Sequence, residues 1–229
     1  MKHLSTITIV ILLCFLTLGS YAQKRIKSPD LKIGIGYPYV FGNVTDVQWY
    51  HTITGFPTLS VEKPYPIQHK RKNMFSINPG ISYYFFKEHE EWGTLVVGRD
   101  FKLNHQSINA YSKFLYQKKF YGPGTGFFYF GVIGGFHIIT KTTGTRISYG
   151  LTPGEPVVKA DANESGKDFY GQFYYGAVLG VQPKAKITNI IKPSIEAMFF
   201  PGLVKRETRN SIDNEMVAQL TIFLGLRLD

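Results

Sequence analysis

His105 and Ser107 stand two residues apart in the run His105-Gln-Ser107-Ile-Asn109. On an extended strand, positions i and i+2 share a face, so an imidazole base could reach a hydroxyl nucleophile. A triad also needs a group to orient the imidazole, and the run itself carries no carboxylate. The pattern therefore reads first as a polar strand end near a loop and only second as a hydrolase dyad. His137 reads as a satisfied interior histidine. Asp, Glu and His show no metal-like spacing, and the one cysteine, Cys14, excludes both a thiolate zinc site and a disulfide framework. No metal and no cofactor are expected. Gly122-Pro-Gly-Thr-Gly126 lacks the Gly-Lys-Ser/Thr ending of a phosphate loop and leads into a strand, so it is a turn.

The elements that must position these residues follow from composition and period. The chain has 229 residues, 15% aromatic and 18% charged, with 26 Lys+Arg against 16 Asp+Glu. That charged share is below the ~25% of ordinary soluble domains. Apolar residues are too plentiful for disorder. After the N-terminus no run reaches the ~18 apolar residues of a spanning helix. Residues 1–22 have a basic start at Lys2, an apolar core from Ile7 to Leu18 and small residues at Ser20 and Ala22. This is the form of a cleaved secretory signal, leaving 23–229 as one domain.

Along that domain the period is two. Leu31, Ile33, Ile35, Tyr37, Tyr39 and Phe41 share one face, with Lys32, Gly34 and Gly36 on the other. The same alternation holds for Phe75 to Phe85, Phe128 to Ile138, Phe173 to Val181, Ile191 to Phe199 and Met216 to Leu228. Leu95, Val97, Phe101 and Leu103 form a further apolar face with Arg99 as an intruder, and Gln106 to Gln117 alternates least well. Eight strands result: 31–41, 73–86, 93–104, 106–117, 126–140, 168–182, 190–201 and 215–228. Ten are possible if Phe56–Val61 and a stretch around Arg146–Tyr149 join. The gaps at 42–72, 141–167 and 202–214 are long, and those at 87–92, 118–125 and 183–189 short. An even number of strands with alternating long and short connections predicts an antiparallel up-and-down transmembrane β-barrel, with both termini periplasmic. One face is Gly-rich and polar, a poor water-excluded core. The other carries aromatics near strand ends, as membrane girdles do.

The Tyr21-Ala22-Gln23 signal ending, the Gly-rich run from Gly126 to Phe136 and the closing Leu220-to-Leu228 strand resemble the Bacteroidetes-type outer-membrane β-barrel family, the small OmpX- and PorT-like barrels. The resemblance implies an outer-membrane location. It also implies a structural or interaction role, through surface loops or as a component of an envelope machine. His105-x-Ser107 is similar to the pair in lipid A 3-O-deacylases, which would make the chain an outer-leaflet lipid hydrolase. That family has Asn directly after the Ser, where Ile108 stands here, and a downstream Glu that this chain lacks. A small pore is the third class, and eight strands leave an interior only wide enough for side chains.

Five charged residues fall on the faces assigned to the lumen: Lys32, Asp100, Lys192, Glu196 and Arg227. Charges in a narrow lumen are costly unless paired. Glu196 is therefore expected to contact Arg227 or Lys192, with Asp100 reaching in from the third strand, to form a polar plug. Lys70, Arg71 and Lys72 form a basic cluster placed by this topology at the outer-leaflet surface, where it could meet lipopolysaccharide phosphates. Outer-membrane lipids, lipopolysaccharide included, and other envelope proteins are the expected partners. Nucleic acid is not, despite the net charge of +10.

Overall fold

The computed structural model describes residues 31–42, 44–45, 49–70, 73–93, 98–120, 126–150, 158–166, 169–170, 172–183, 191–207 and 212–226. The segment 1–22, and with it the expected signal, lies outside the described residues. The strands in chain order are β1 (Leu31–Val40), β2 (Val44–Thr45), β3 (Trp49–Gly55), β4 (Thr58–Glu62), β5 (Tyr65–Lys70) and β6 (Asn73–Gly93). They continue with β7 (Gly98–Phe120), β8 (Gly126–Tyr149), β9 (Val158–Glu164), β10 (Phe173–Pro183), β11 (Ile191–Glu207) and β12 (Ile212–Leu226). All pairings are antiparallel, and they close on themselves. β1 pairs with β4, β4 with β6, β6 with β7, β7 with β8, β8 with β10, β10 with β11, β11 with β12, and β12 returns to β1. The wall is thus an eight-stranded barrel in which β3, β4 and β5 run as one interrupted strand. Closure leaves these eight strands no free edge where the ring of pairings runs, and satisfies their backbone groups internally there.

The eight strands are not the eight read from the sequence. Residues 98–120 form one strand of 23 residues, where two were expected on either side of Asn104. The missing wall strand is supplied by residues 49–70, expected to be an external loop apart from the possible strand at Phe56–Val61. Both errors have one cause. β6, β7 and β8 are 21, 23 and 24 residues long, about twice what one crossing of hydrocarbon needs. The wall therefore continues past the apolar band, and there its polarity changes sign.

Along β6 the outward row is Phe75, Ile77, Pro79, Ile81, Tyr83 and Phe85, and then Lys87, His89 and Glu91. The inward row is Ser76, Asn78, Gly80 and Ser82, and then Tyr84 and Phe86. We call the first part the belt and the second the crown. In the belt, large apolar side chains face outward on every wall strand, among them Ile35, Leu59, Phe114, Val132, Tyr175, Ile195 and Ile222. The interior there holds the buried charges and amides, together with Leu115, Ile133, Val178 and Phe223. In the crown the exterior is largely polar, and buried aromatic and aliphatic groups such as Ile53, Phe86, Phe200 and Leu203 pack the interior around the paired His51, Glu88 and His105. β7 obeys the same rule: Lys113, Asn109 and Ser107 point inward in the belt, Leu103 in the crown. Phe101 and Arg99 share this inward row, and Asp100 and Lys102 face out. The facing expected for 93–104 is therefore inverted over 98–104, because that stretch belongs to the crown; Leu95 and Val97 lie outside the described residues.

Two local devices tune the wall. At Ile138 a β-bulge puts Asn109 opposite His137 but Ile108 opposite Ile139, so two consecutive isoleucines face outward. The bulge shifts the parity of β8 and turns Thr142 and Arg146 inward. Inside the belt, Gly34 lies under the Phe223 ring, where a Cβ would come within 2.5 Å of it. Only glycine leaves room for a ring to lie flat across so narrow a lumen.

Candidate functional site

The belt lumen is closed by four charges. Lys113 Nζ lies 2.5 Å from Glu62 Oε2 and 2.5 Å from Glu196 Oε2. Lys32 Nζ lies 3.4 Å from Glu62 Oε1 and 3.6 Å from Glu196 Oε1. These side chains come from β7, β4, β11 and β1, so the tetrad spans the barrel. Remaining lone pairs are also used: Tyr129 OH donates to Glu196 Oε1 at 2.8 Å, Asn78 Nδ2 to Glu62 Oε1 at 3.1 Å and Tyr111 OH to Glu62 Oε2 at 3.3 Å. Lys113 Nζ further sits 4.3 Å from the Phe223 ring centroid. Two cations and two anions balance, and Glu62, Lys113 and Glu196 are at most 1% exposed. A buried set of this kind holds because every charge is paired and hydrogen-bonded.

Of the five lumen residues expected from sequence, the structure brings Lys32 and Glu196 together. Asp100 is not with them. It faces outward from the crown, 3.0 Å from Lys102 and 3.3 Å from His89. Lys192 lies near the start of β11, half-buried, while Glu196 is engaged by Lys113, Lys32 and Tyr129. Arg227 lies outside the described residues. Sequence reading missed Glu62 and Lys113. Glu62 sits in the stretch taken for a loop. Lys113 sits in the least regular strand, although Asn109, Tyr111, Lys113, Leu115 and Gln117 share one parity and all face inward.

His105 and Ser107 share a face, as expected, but they take different partners. His105 Nε2 is 2.9 Å from Glu88 Oε2, Nδ1 is 2.9 Å from Thr142 Oγ1, and the ring stacks on Phe169 at 3.6 Å and 1°. The orienting carboxylate missing downstream is thus supplied by β6, where Glu88 also takes His51 Nε2 at 2.7 Å. Glu88 lies above the belt. Burial alone would raise its pKa, but the hydrogen bonds and charges of His105 and His51 more than offset this and hold it at about 2. Ser107 Oγ instead donates to Asn109 Oδ1 at 2.5 Å and lies 2.6 Å from His137 Nδ1. Ser107 thus engages Asn109 and His137 and not His105. Ser107 is also 1% exposed, and Tyr170 packs 4.7 Å from His137 above it.

Lys70 ends β5, opposite Asn73, at the end of the barrel that also holds Leu31 and Leu226. The expected topology placed this cluster at the opposite end of the barrel, so that placement is corrected. Arg71 and Lys72 lie outside the described residues. The cause is again the missed wall strand, which turns the chain around once more before β6. Among the described residues no group of three His, Cys, Asp or Glu could hold a metal ion.

No family model matches the chain, and no curated protein does. Among solved structures it is similar to Neisserial surface protein A, with 11% identity over 87% of this chain and 96% of that one, at a TM-score of 0.38. It is also similar to the outer membrane protein OprG of Pseudomonas aeruginosa, with 10% identity over 87% and 94%, at 0.40. A third is Ail, the attachment invasion locus protein of Yersinia pestis, with 13% identity over 88% and 99%, at 0.32. Likeness at this level carries no argument about the chain, whose class, a closed antiparallel eight-stranded barrel, rests on its own strand pairing.

Proposed function

We propose that the chain is an outer-membrane β-barrel with a structural or interaction role, closed to diffusion and without catalytic activity. The observation that carries this reading is the belt: apolar side chains outward, and a lumen sealed by the Lys32–Glu62–Lys113–Glu196 tetrad. A water-soluble barrel would bury its apolar face and expose its charges. Only hydrocarbon outside the wall makes the opposite arrangement favourable. The outward apolar row of β6 from Phe75 to Phe85 matches the ~9–11 residues with which a tilted strand crosses a bilayer. The crown then stands beyond the membrane as the face offered to partners at the cell surface.

Phosphates of outer-leaflet lipids, lipopolysaccharide included, are the proposed lipid contact. What supports it is the exposed Lys87, Lys102 and Lys141, which face outward on β6, β7 and β8, just beyond the outward apolar residues Phe85, Ile108 and Ile139. A non-catalytic role is supported by the buried Ser107 and by the engagement of His105 with Glu88 and Thr142.

Expression in a Gram-negative host, followed by fractionation and planar-bilayer recording, tests the reading. The barrel should sediment with outer membranes, migrate faster unboiled than boiled, and give no conductance steps. A mature chain left soluble by a detergent-free high-salt wash would overturn the location, and steady channel conductance would overturn the closed lumen.

A further inference from the structure

Above the sealed lumen the crown holds a partly open cavity of about 210 Å³ between β6, β7, β8 and residues Glu164, Ser165, Gly166 and Phe169. Two guanidiniums share one aromatic ring in its wall: the Cζ atoms of Arg99 and Arg146 lie 5.3 and 5.8 Å from the Phe101 centroid. Cations placed so close repel, and carboxylates restrain them, Glu90 holding Arg99 at 2.5 Å and Glu164 holding Arg146. A guanidinium carries five N–H donors. The Nε of Arg99 is buried and has no hydrogen-bond partner. The same cavity is lined by the Glu88 carboxylate, pinned by His51 and His105, and by the Phe169 ring stacked on His105.

We propose that this cavity binds a small zwitterion, with its carboxylate on the Arg99–Arg146 pair and its ammonium toward Glu88. A free dianion would meet Glu88, Glu90 and Glu164, and a simple cation would meet two guanidiniums. A molecule carrying both charges meets a complement at each end. At ~30 Å³ per water the cavity holds roughly seven waters. It is smaller than the ~300 Å³ at which drug-sized sites begin, which limits the occupant to an amino acid or a dipeptide. Because the lumen beneath is closed, the site captures its ligand and does not pass it through. This goes beyond the role proposed above and does not depend on the membrane, since the cavity lies wholly in the crown.

The test is calorimetric titration of the full chain, folded in detergent micelles, with L-alanine and L-alanyl-L-alanine, and with acetate and methylammonium as half-ligands. At least one zwitterion should bind, and each half-ligand at least about tenfold more weakly, the loss expected for one charge-assisted contact. Arg99→Gln should weaken zwitterion binding by about tenfold or more, and Glu88→Gln should do the same from the other end. Faster migration before boiling shows in every case that the barrel is folded. Absence of binding by both zwitterions up to about 10 mM, acetate binding as tightly as the zwitterion, or unchanged affinity in folded Arg99→Gln and Glu88→Gln would each overturn the proposal.

Discussion

The belt and the crown are built from the same strands, yet they follow opposite rules. On β6, Ser76, Asn78 and Ser82 point inward while Ile77 and Ile81 point outward. A few residues on, Tyr84 and Phe86 point inward while Lys87 and Glu91 point outward. The backbone alternates identically throughout, and what differs is the medium outside it. In the belt, the polar groups turned away from hydrocarbon must satisfy one another, so the interior becomes an ion tetrad ringed by Tyr129, Tyr111 and Asn78. In the crown, water takes the outward charges, and the interior packs rings, as in the Tyr84–Phe86 stack at 6.0 Å, around the paired His51, Glu88 and His105. One barrel thus holds a water-type core stacked on a membrane-type core.

The largest expected effect is in the belt. Lys113→Met leaves Glu62 and Glu196 facing each other with only Lys32 to compensate, and should cost ~3–5 kcal/mol in urea unfolding from micelles. Glu62→Gln in the same chain should recover part of that loss, because one anion has gone with its cation. If Lys113→Met changed stability by less than about 1 kcal/mol, the tetrad would not be what organises the lumen.

Next comes a matched pair of outward substitutions. Ile222→Arg, in the middle of the belt, should cost ~2–4 kcal/mol in lipid, whereas Thr52→Arg, outward in the crown, should stay within about 0.5 kcal/mol. Unfolding in lipid vesicles measures both, and equal costs would erase the distinction between the two regions.

The smallest effect is confined to acid. Glu88 has its folded pKa depressed to about 2 by His105 and His51, below its unfolded value near ~4.3. The stability it contributes is therefore fully present above pH ~4.3 and is lost as pH falls through about 2, an effect of roughly 1–3 kcal/mol. Glu88→Gln should flatten that acid limb of the unfolding curve, and an unchanged limb would remove Glu88 as its source.

The sequence was legible wherever a strand stayed within one medium. The outward faces of Leu31–Phe41, Phe128–Ile138, Phe173–Val181 and Met216–Leu224 could be read directly, since strict alternation beside a glycine-rich face has one physical meaning. It misled where a strand passed between media. Around Asn104-His105-Gln106 both faces are polar, because the wall is leaving the belt, and this local loss of contrast looks the same as a strand break. Trp49–Gly55 carries the crown rule, with His51 and Ile53 inward, so it did not match the belt pattern and read as loop. The site suffered accordingly. Lys32 and Glu196 were visible on clean strands, but Glu62 was hidden in the supposed loop. The partners of His105 and Ser107 came from β6 and β8, a matter of register and of the Ile138 bulge that no local spacing encodes.

The inversion itself can be read along a single strand. The mature chain expected after removal of 1–22 contains no cysteine, so single cysteines at the outward positions of β6 can carry spin labels in a lipid bilayer. Collisions with oxygen report lipid, and collisions with a water-soluble nickel chelate report water. Labels at Ile77, Ile81 and Phe85 should favour oxygen and labels at Lys87, His89 and Glu91 the chelate, with the change falling between Phe85 and Lys87. A label at Ile81 that meets the chelate freely, or a profile without a crossover along β6, would contradict the two-medium reading of this barrel.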